Sequence, residues 1–403
     1  MPQRGNKVAL LGAFCLFLST IEYMIPKPLP FMRLGIANLP LMLALDILPI
    51  SGFFLLVAIK IFGQALITGS LFSYIFLFSL SGTVLSSFVM LSLHRLFRKN
   101  IGFVGIGTAG AMISTMAQIA LASVFVFGRS ALLIAPPFLA ASLVTGVTLG
   151  AFCEYFADKS VWMRRLQNFG EESTRGVPEE SEPRTKTIAV TARVRCSVQG
   201  DFFRGSSRDL FIAGLIMVPS LVFNPSTGGR VVQFLLLSAF TVLTGRKNNV
   251  LMMSLMTFGI VFFNLLVPYG QVLCSFGIFR LTKGALLTGI RRAATVQGLF
   301  MLSKACIGRD LRIPGKFGSL ISESFRIFAF LGQRGEYLKR GKEWKNHEKI
   351  VGRIDALLSE LQVFPESAEM ISTSRSRPRD IAILCATVVL VWMPSVLALL
   401  ISR

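Results

Sequence analysis

Carboxylates are scarce in this chain. Only 21 Asp+Glu stand against 42 Lys+Arg, and charged residues make up 16% of the whole. No two aspartates are adjacent and no DDxxD occurs. The usual prenyl-chain synthase chemistry, magnesium held on a pyrophosphate by clustered aspartates, therefore has no residues to run on. GxxxxGK(S/T) is missing, so no phosphate-cradling loop of an ATPase is present. HExxH, GxSxG and a paired set of carboxylates are missing too. The six cysteines form no CxxC pair, which excludes a zinc ribbon and argues against a disulfide framework. The only histidines, His94 and His347, each stand beside basic residues. These gaps lead to the expectation of a chain that is not an enzyme, with no metal and no cofactor.

What the chain has is apolar length. Of its 403 residues 53% are hydrophobic, including 35 Phe. Runs of about 20 apolar residues recur, each long enough for a hydrocarbon layer about 30 Å thick. Period-two alternation is absent, so a barrel is excluded. The expected class is an all-α polytopic membrane protein. A net charge of +21 would suggest nucleic acid in a soluble chain. In a membrane chain it follows from cationic cytoplasmic loops meeting anionic lipid heads, and no nucleic-acid partner is expected. The N-terminal run after MPQRGNK is too long for a signal-peptide core and reads as a retained first span.

Six apolar segments occupy the first half, near 8–24, 37–49, 51–69, 71–94, 102–127 and 131–156. With the N-terminus inside, the inner loops hold Arg4, Lys7, Arg95, Arg98, Lys99, Lys159, Arg164 and Arg165, and the outer loops only Lys27, Arg33 and Arg129. That bias predicts a cytoplasmic N-terminus in the inner membrane. Residues 158–208 form a charged cytoplasmic linker. Residues 209–403 make a second membrane domain of about five spans, near 209–223, 231–245, 248–267, 284–307 and 380–401; the region 271–283 is apolar but too short to span. Two amphipathic helices are expected in the cytoplasm between about 317 and 362. Phe317, Leu320, Ile321, Phe325 and Phe328 mark one, and Ile350, Ile354, Leu357, Leu358 and Leu361 the other. Such helices lie on a membrane surface or dock into a partner.

The stretch Pro26–Leu45, PKPLPFMRLGIANLPLMLAL, combines restricted backbone, a cation and an amide between two membrane-length segments. Ionisable groups inside spans are costly, so Lys60 in the third segment needs solvation or a partner, with Glu22 and Asp46 the available carboxylates. Lys60 and Arg33 are candidates to attract an anionic substrate, and Asn38, Gln64 and Gln118 to hydrogen-bond it. Ala9 and Ala13 on the first span, and Gly146 and Gly150 on the sixth, are spaced for close helix approach.

PLPFMRLGIANLPLMLAL resembles the signature of the Gx transporter family, also described as heptaprenyl diphosphate synthase component I. FLFSLSGTVLSSFVM (76–90) and GIGTAGAMISTMAQIALA (105–122) fit the same family in order, over about residues 8–157. Where family members often carry His-Asn, this chain has Ser114 and Thr115, with Gln118 kept. The family is similar to the six-helix substrate-binding S components of energy-coupling factor transporters. That resemblance implies an S-component-like domain over 1–157, with Ala9 and Ala13 contacting a coupling subunit. Residues 209–401 are similar to the coupling T component, whose cytoplasmic helices meet ATPases. Gln333-Arg334-Gly335 matches its Ala-Arg-Gly-like motif in part, which makes Arg334 and Gly335 coupling candidates. The expected function is membrane uptake of a small vitamin- or cofactor-type ligand, driven by separate cytoplasmic ATPases. The alternative is a non-catalytic membrane accessory subunit for a soluble prenyl synthase. A third reading is a scaffold whose basic helices bind anionic lipid.

Overall fold

The structure, a computed structural model, describes residues 2–24, 35–97, 100–160, 206–246, 248, 250–276, 279–307, 315–339 and 378–401. Most of the expected linker, the second amphipathic pattern (350–361) and Arg33 lie outside the described residues.

The first half contains α1 (Pro2–Met24), α2 (Leu39–Ile47), α3 (Ile50–Thr68), α4 (Tyr74–Leu96), α5 (Phe103–Ala122) and α6 (Ala131–Lys159). The second contains α7 (Ser207–Phe223), α8 (Thr227–Leu243), α9 (Val250–Leu265), α10 (Lys283–Cys306), α11 (Gly315–Lys339) and α12 (Pro378–Ile401). Helices Ile50–Thr68, Tyr74–Leu96 and Pro378–Ile401 and the segment Phe103–Lys159 are long and apolar enough to cross a membrane. The protein is an all-α polytopic membrane fold apart from one small element. Residues 271–283, apolar but too short to span, contain an antiparallel hairpin of β1 (Val272–Phe276) and β2 (Phe279–Thr282).

One expected span is not one. The segment 37–49 becomes a 3₁₀ turn, Ile36–Asn38, followed by the nine-residue α2. Together they rise only about 18 Å, well short of the hydrocarbon thickness. Pro49 ends the helix by holding Leu48 extended at φ −104°, ψ 143°. Leu39 to Leu45 are all buried, so α2 is a half-helix packed inside the bundle rather than a lipid-facing span.

The α5–α6 pairing follows from small residues. An added Cβ on Gly150 would stand 2.5 Å from Val104 Cα and 2.8 Å from Phe103 O, and one on Gly146 2.8 Å from Thr108 Cα. The backbones of the two helices touch because neither glycine carries a side chain. The Glu154 carboxylate accepts from the Val104 amide at the start of α5 (3.3 Å).

In the second half, two proline-bearing helices lean on each other. Pro219 in α7 and Pro394 in α12 disturb the backbone bonding one turn earlier. The carbonyls three residues before each proline accept side-chain donors from neighbouring helices. Trp392 Nε1 donates to Ile216 O (3.2 Å), and Gln233 Nε2 and Ser220 Oγ donate to Val391 O (2.8 and 3.1 Å). Gln233 also donates to Ser395 Oγ (2.8 Å) and accepts from Asn224 Nδ2 (3.0 Å). Such satisfaction is obligatory where no water competes. Arg230 donates to Asn224 O (2.7 Å) and Val222 O (3.0 Å), closing the C-terminal end of α7. Arg246 does the same at α10 through Ile307 O (2.7 Å).

The halves meet in two places. The α3–α4 turn inserts Phe72 against Gly214 of α7, its ring 5.2 Å from that of Phe211, while its amide donates to Ser303 Oγ of α10 (3.0 Å). The α5–α6 turn meets the other part of α10. Arg292 lies against Gly128, and Asn264 Nδ2 of α9 donates to Val126 O (3.1 Å), within the π-helical turn Ser123–Phe127. Tyr74 and Phe125 stack at 4.8 Å, so both turns belong to one end of the first-half bundle. α10 therefore lies across that end. The charge bias assigns both turns to the outside and the end of α10 to the inside, so the two halves do not stand parallel in one membrane with those assignments.

The second meeting place is α11. Its apolar face packs on α1 and α3, with Ile321, Ile327 and Leu331 buried in the same core as Val8, Leu11 and Ile59. The amphipathic pattern expected to cover a membrane surface or partner groove thus covers this chain's own first half.

Gly150→Val should lower the midpoint of thermal unfolding in detergent, through overpacking worth about 1–3 kcal/mol. Gly332→Ala in α11, where an added Cβ meets nothing within 4 Å, should leave the midpoint unchanged or raise it.

Candidate functional site

Gly35 adopts φ +82°, a left-handed conformation that a side chain would strain. It reverses the chain into the 3₁₀ turn and α2. The first amides of such a turn have no helical partner. Here Glu22, from the end of α1, takes them: its carboxylate accepts from Gly35 N and Ala37 N, both at 3.3 Å. On the other side of the turn, Lys60 Nζ of α3 donates to Asn38 Oδ1. Glu22 is 5% exposed and Lys60 2%, so opposite charges hold one turn out of contact with solvent. Each offsets the cost that the other would incur in a low-dielectric interior.

The turn sits deep. Lys60 lies midway along α3, and α2 runs from the turn to Asp46, whose carboxylate pairs with His94 Nε2 at 3.3 Å near the end of α4. The sequence-based reading places Pro26–Asn38 at the outer mouth of the bundle. Its Gly35–Asn38 part instead lies at the depth of Lys60, because α2 is only half a span. Of the two carboxylates available to Lys60, Glu22 shares its turn, and Asp46 is taken up elsewhere.

The other expected ligand contacts divide. Gln64 is one turn beyond Lys60 on α3, half-buried, its carbonyl accepting from Thr68 Oγ1 (2.8 Å). Gln118 is not in this cluster. It donates to Ser114 Oγ (3.1 Å), both side chains abut Gly82 of α4, and it borders an apolar cavity with Phe127, Ala131, Ile134 and Phe138. Arg33 lies outside the described residues. From the sequence Glu22 is only a pairing candidate for Lys60, because nothing in a sequence places an acid 13 residues upstream against a particular turn.

Ala9 and Ala13 are fully buried. Between them stands Gly12, where an added Cβ would meet Ile59 Cγ2 and Ser324 Oγ, both at 2.9 Å. Ser324 belongs to α11, so Gly12 is where α1 meets that helix, a contact that the Ala9–Ala13 spacing alone does not indicate. Arg334 and Gly335 lie in the last turns of α11; their side chains are outside the described residues. Among the described residues no group of His, Cys, Asp and Glu is arranged to hold a metal ion.

Glu22→Ala should lower thermal stability markedly, since each orphaned buried amide costs about 1–3 kcal/mol. Glu22→Gln keeps an acceptor oxygen and should recover part of the loss, as read by melting of the purified protein.

No curated protein and no solved structure matches the chain. Residues 208–308 match the model of a domain of unknown function, DUF8519. Residues 11–156, which hold the Glu22–Asn38–Lys60 turn and all of α2 to α5, match the family model of heptaprenyl diphosphate synthase component I.

Proposed function

We propose that this chain is an uptake protein for a small vitamin- or cofactor-type ligand, with a substrate-binding first half fused to a coupling second half. The observation that carries this reading is the packing of α11 along α1. The helix expected to transmit work from separate cytoplasmic ATPases lies on the small-residue face of the first span, through Gly12 and Ser324. A movement of α11 would therefore bear directly on α1 and α3, the helices that supply Glu22 and Lys60. The broken helix α2, with its N-terminal turn deep in the bundle beside Lys60, suits a ligand site, since discontinuous helices in transporters line substrate sites near the bilayer midplane. Lys60, Asn38 and Gln64 line that site in this reading, Arg33, which lies outside the described residues, is a further candidate for it, and Gln118 serves a separate position on α5. The N-terminus is cytoplasmic, and Arg334 and Gly335 contact the ATPase.

A second reading takes its support from the matched family's description: a non-catalytic membrane subunit that holds or positions a soluble prenyl synthase. Purification from the native membrane separates the two. Co-isolated ATPases favour uptake, and a co-isolated prenyl synthase favours the second reading.

Lys60→Ala should weaken ligand binding. Gly12→Leu and Arg334→Glu should abolish uptake into cells while the purified protein still binds ligand. Normal uptake by both of the latter variants would remove the coupling role of α11.

A further inference from the structure

Between Leu210 and Ile307 the chain has no Asp or Glu, yet it places Arg230 in α8 and Arg291 and Arg292 in α10. Three features of one corner of the junction go together. Arg230 is 9% exposed, and its guanidinium donates to two carbonyls at the end of α7 and to Thr295 Oγ1 of α10 (2.6 Å). Those bonds use three of about five N–H donors and supply no countercharge. Arg291 lies one turn before Thr295 on the same face of α10, and Thr295 Oγ1 donates to the Arg291 carbonyl (2.8 Å). Arg291 is a half-buried residue and a like-charged neighbour of Arg230, and its guanidinium forms no hydrogen bond or ion pair among the described residues. Tyr74, at the start of α4, completes the corner from the first half, close enough for its hydroxyl to interact with Arg230.

Two adjacent guanidinium groups in a half-buried setting repel each other, and burial removes the water that would screen them. The partial charge at the end of α7 offsets Arg230 but does not reach Arg291 with a hydrogen bond. We propose that the corner formed by Arg230, Arg291 and Tyr74 binds a phosphate-bearing group, either the headgroup of an anionic lipid or a soluble phosphate compound. Planar guanidinium forks match phosphate oxygens in pairs, and basic pockets between membrane helices commonly receive lipid headgroups. The site stands apart from the Lys60 turn and does not depend on the uptake reading.

The test uses the purified full chain in neutral detergent. Thermal unfolding is followed with added phosphatidylglycerol, phosphatidylcholine or inorganic pyrophosphate, for wild type and Arg291→Gln. A rise in midpoint with phosphatidylglycerol over phosphatidylcholine, lost in Arg291→Gln, identifies a lipid headgroup site. A rise with pyrophosphate, lost in the same variant, identifies a soluble ligand. Arg291→Lys keeps the charge without the fork and should give an intermediate shift. The proposal is overturned if neither addition raises the midpoint, or if Arg291→Gln responds as wild type does.

Discussion

A bent, partly unpaired backbone can be kept inside a membrane protein only if its free amides find acceptors, because lipid offers none. The Gly35–Asn38 turn meets that condition through Glu22, which accepts from the Gly35 and Ala37 amides, while Lys60 donates to the Asn38 side chain on the other side. Much of the first half follows from it. α1 must end where Glu22 reaches the turn. α3 must present Lys60 at mid-length. α2 is left short, enclosed by its neighbours, with Asp46 joined to His94 at its far end.

The second half solves the same problem with neutral groups. Prolines in α7 and α12 loosen backbone bonding, and Gln233, Ser220 and Trp392 take up the affected carbonyls. Cations then close helix ends at α7 and α10. The bonds named here among the described residues use neutral acceptors, and the cations Arg230 and Arg291 on α8 and α10 set the corner at Arg291 apart chemically from the neutral Gln233 network.

The two halves are joined by unlike contacts. Across the end of the first bundle, α10 receives Phe72 of one turn through Ser303, and its Arg292 lies against Gly128 of the other. Along its side, α11 packs its apolar face on α1 and α3, close to α1 where Gly12 meets Ser324. At the other interface, Phe72 set against Gly214 is a knob in a hole.

Apolar run length and helical periodicity determined most of the elements. Nearly every expected segment is a helix within a few residues, because a chain in lipid has few alternatives to the helix. The face of α11 was legible in Phe317, Leu320, Ile321, Phe325 and Phe328, and the α5–α6 contact in Gly146 and Gly150, since both are local patterns. The pairing of Lys60 with Asn38 within one resembling motif set was half legible; both residues were named, but not their contact. Tertiary structure alone decided that Glu22 rather than Asp46 shares the turn, that Gln118 stands apart, that Gly12 meets Ser324, and that α2 spans only half the bundle. Those outcomes depend on helix depth and rotation relative to neighbours far away in the chain. Composition and spacing along one strand of sequence carry no such information, because packing fixes it only when all the helices are present together.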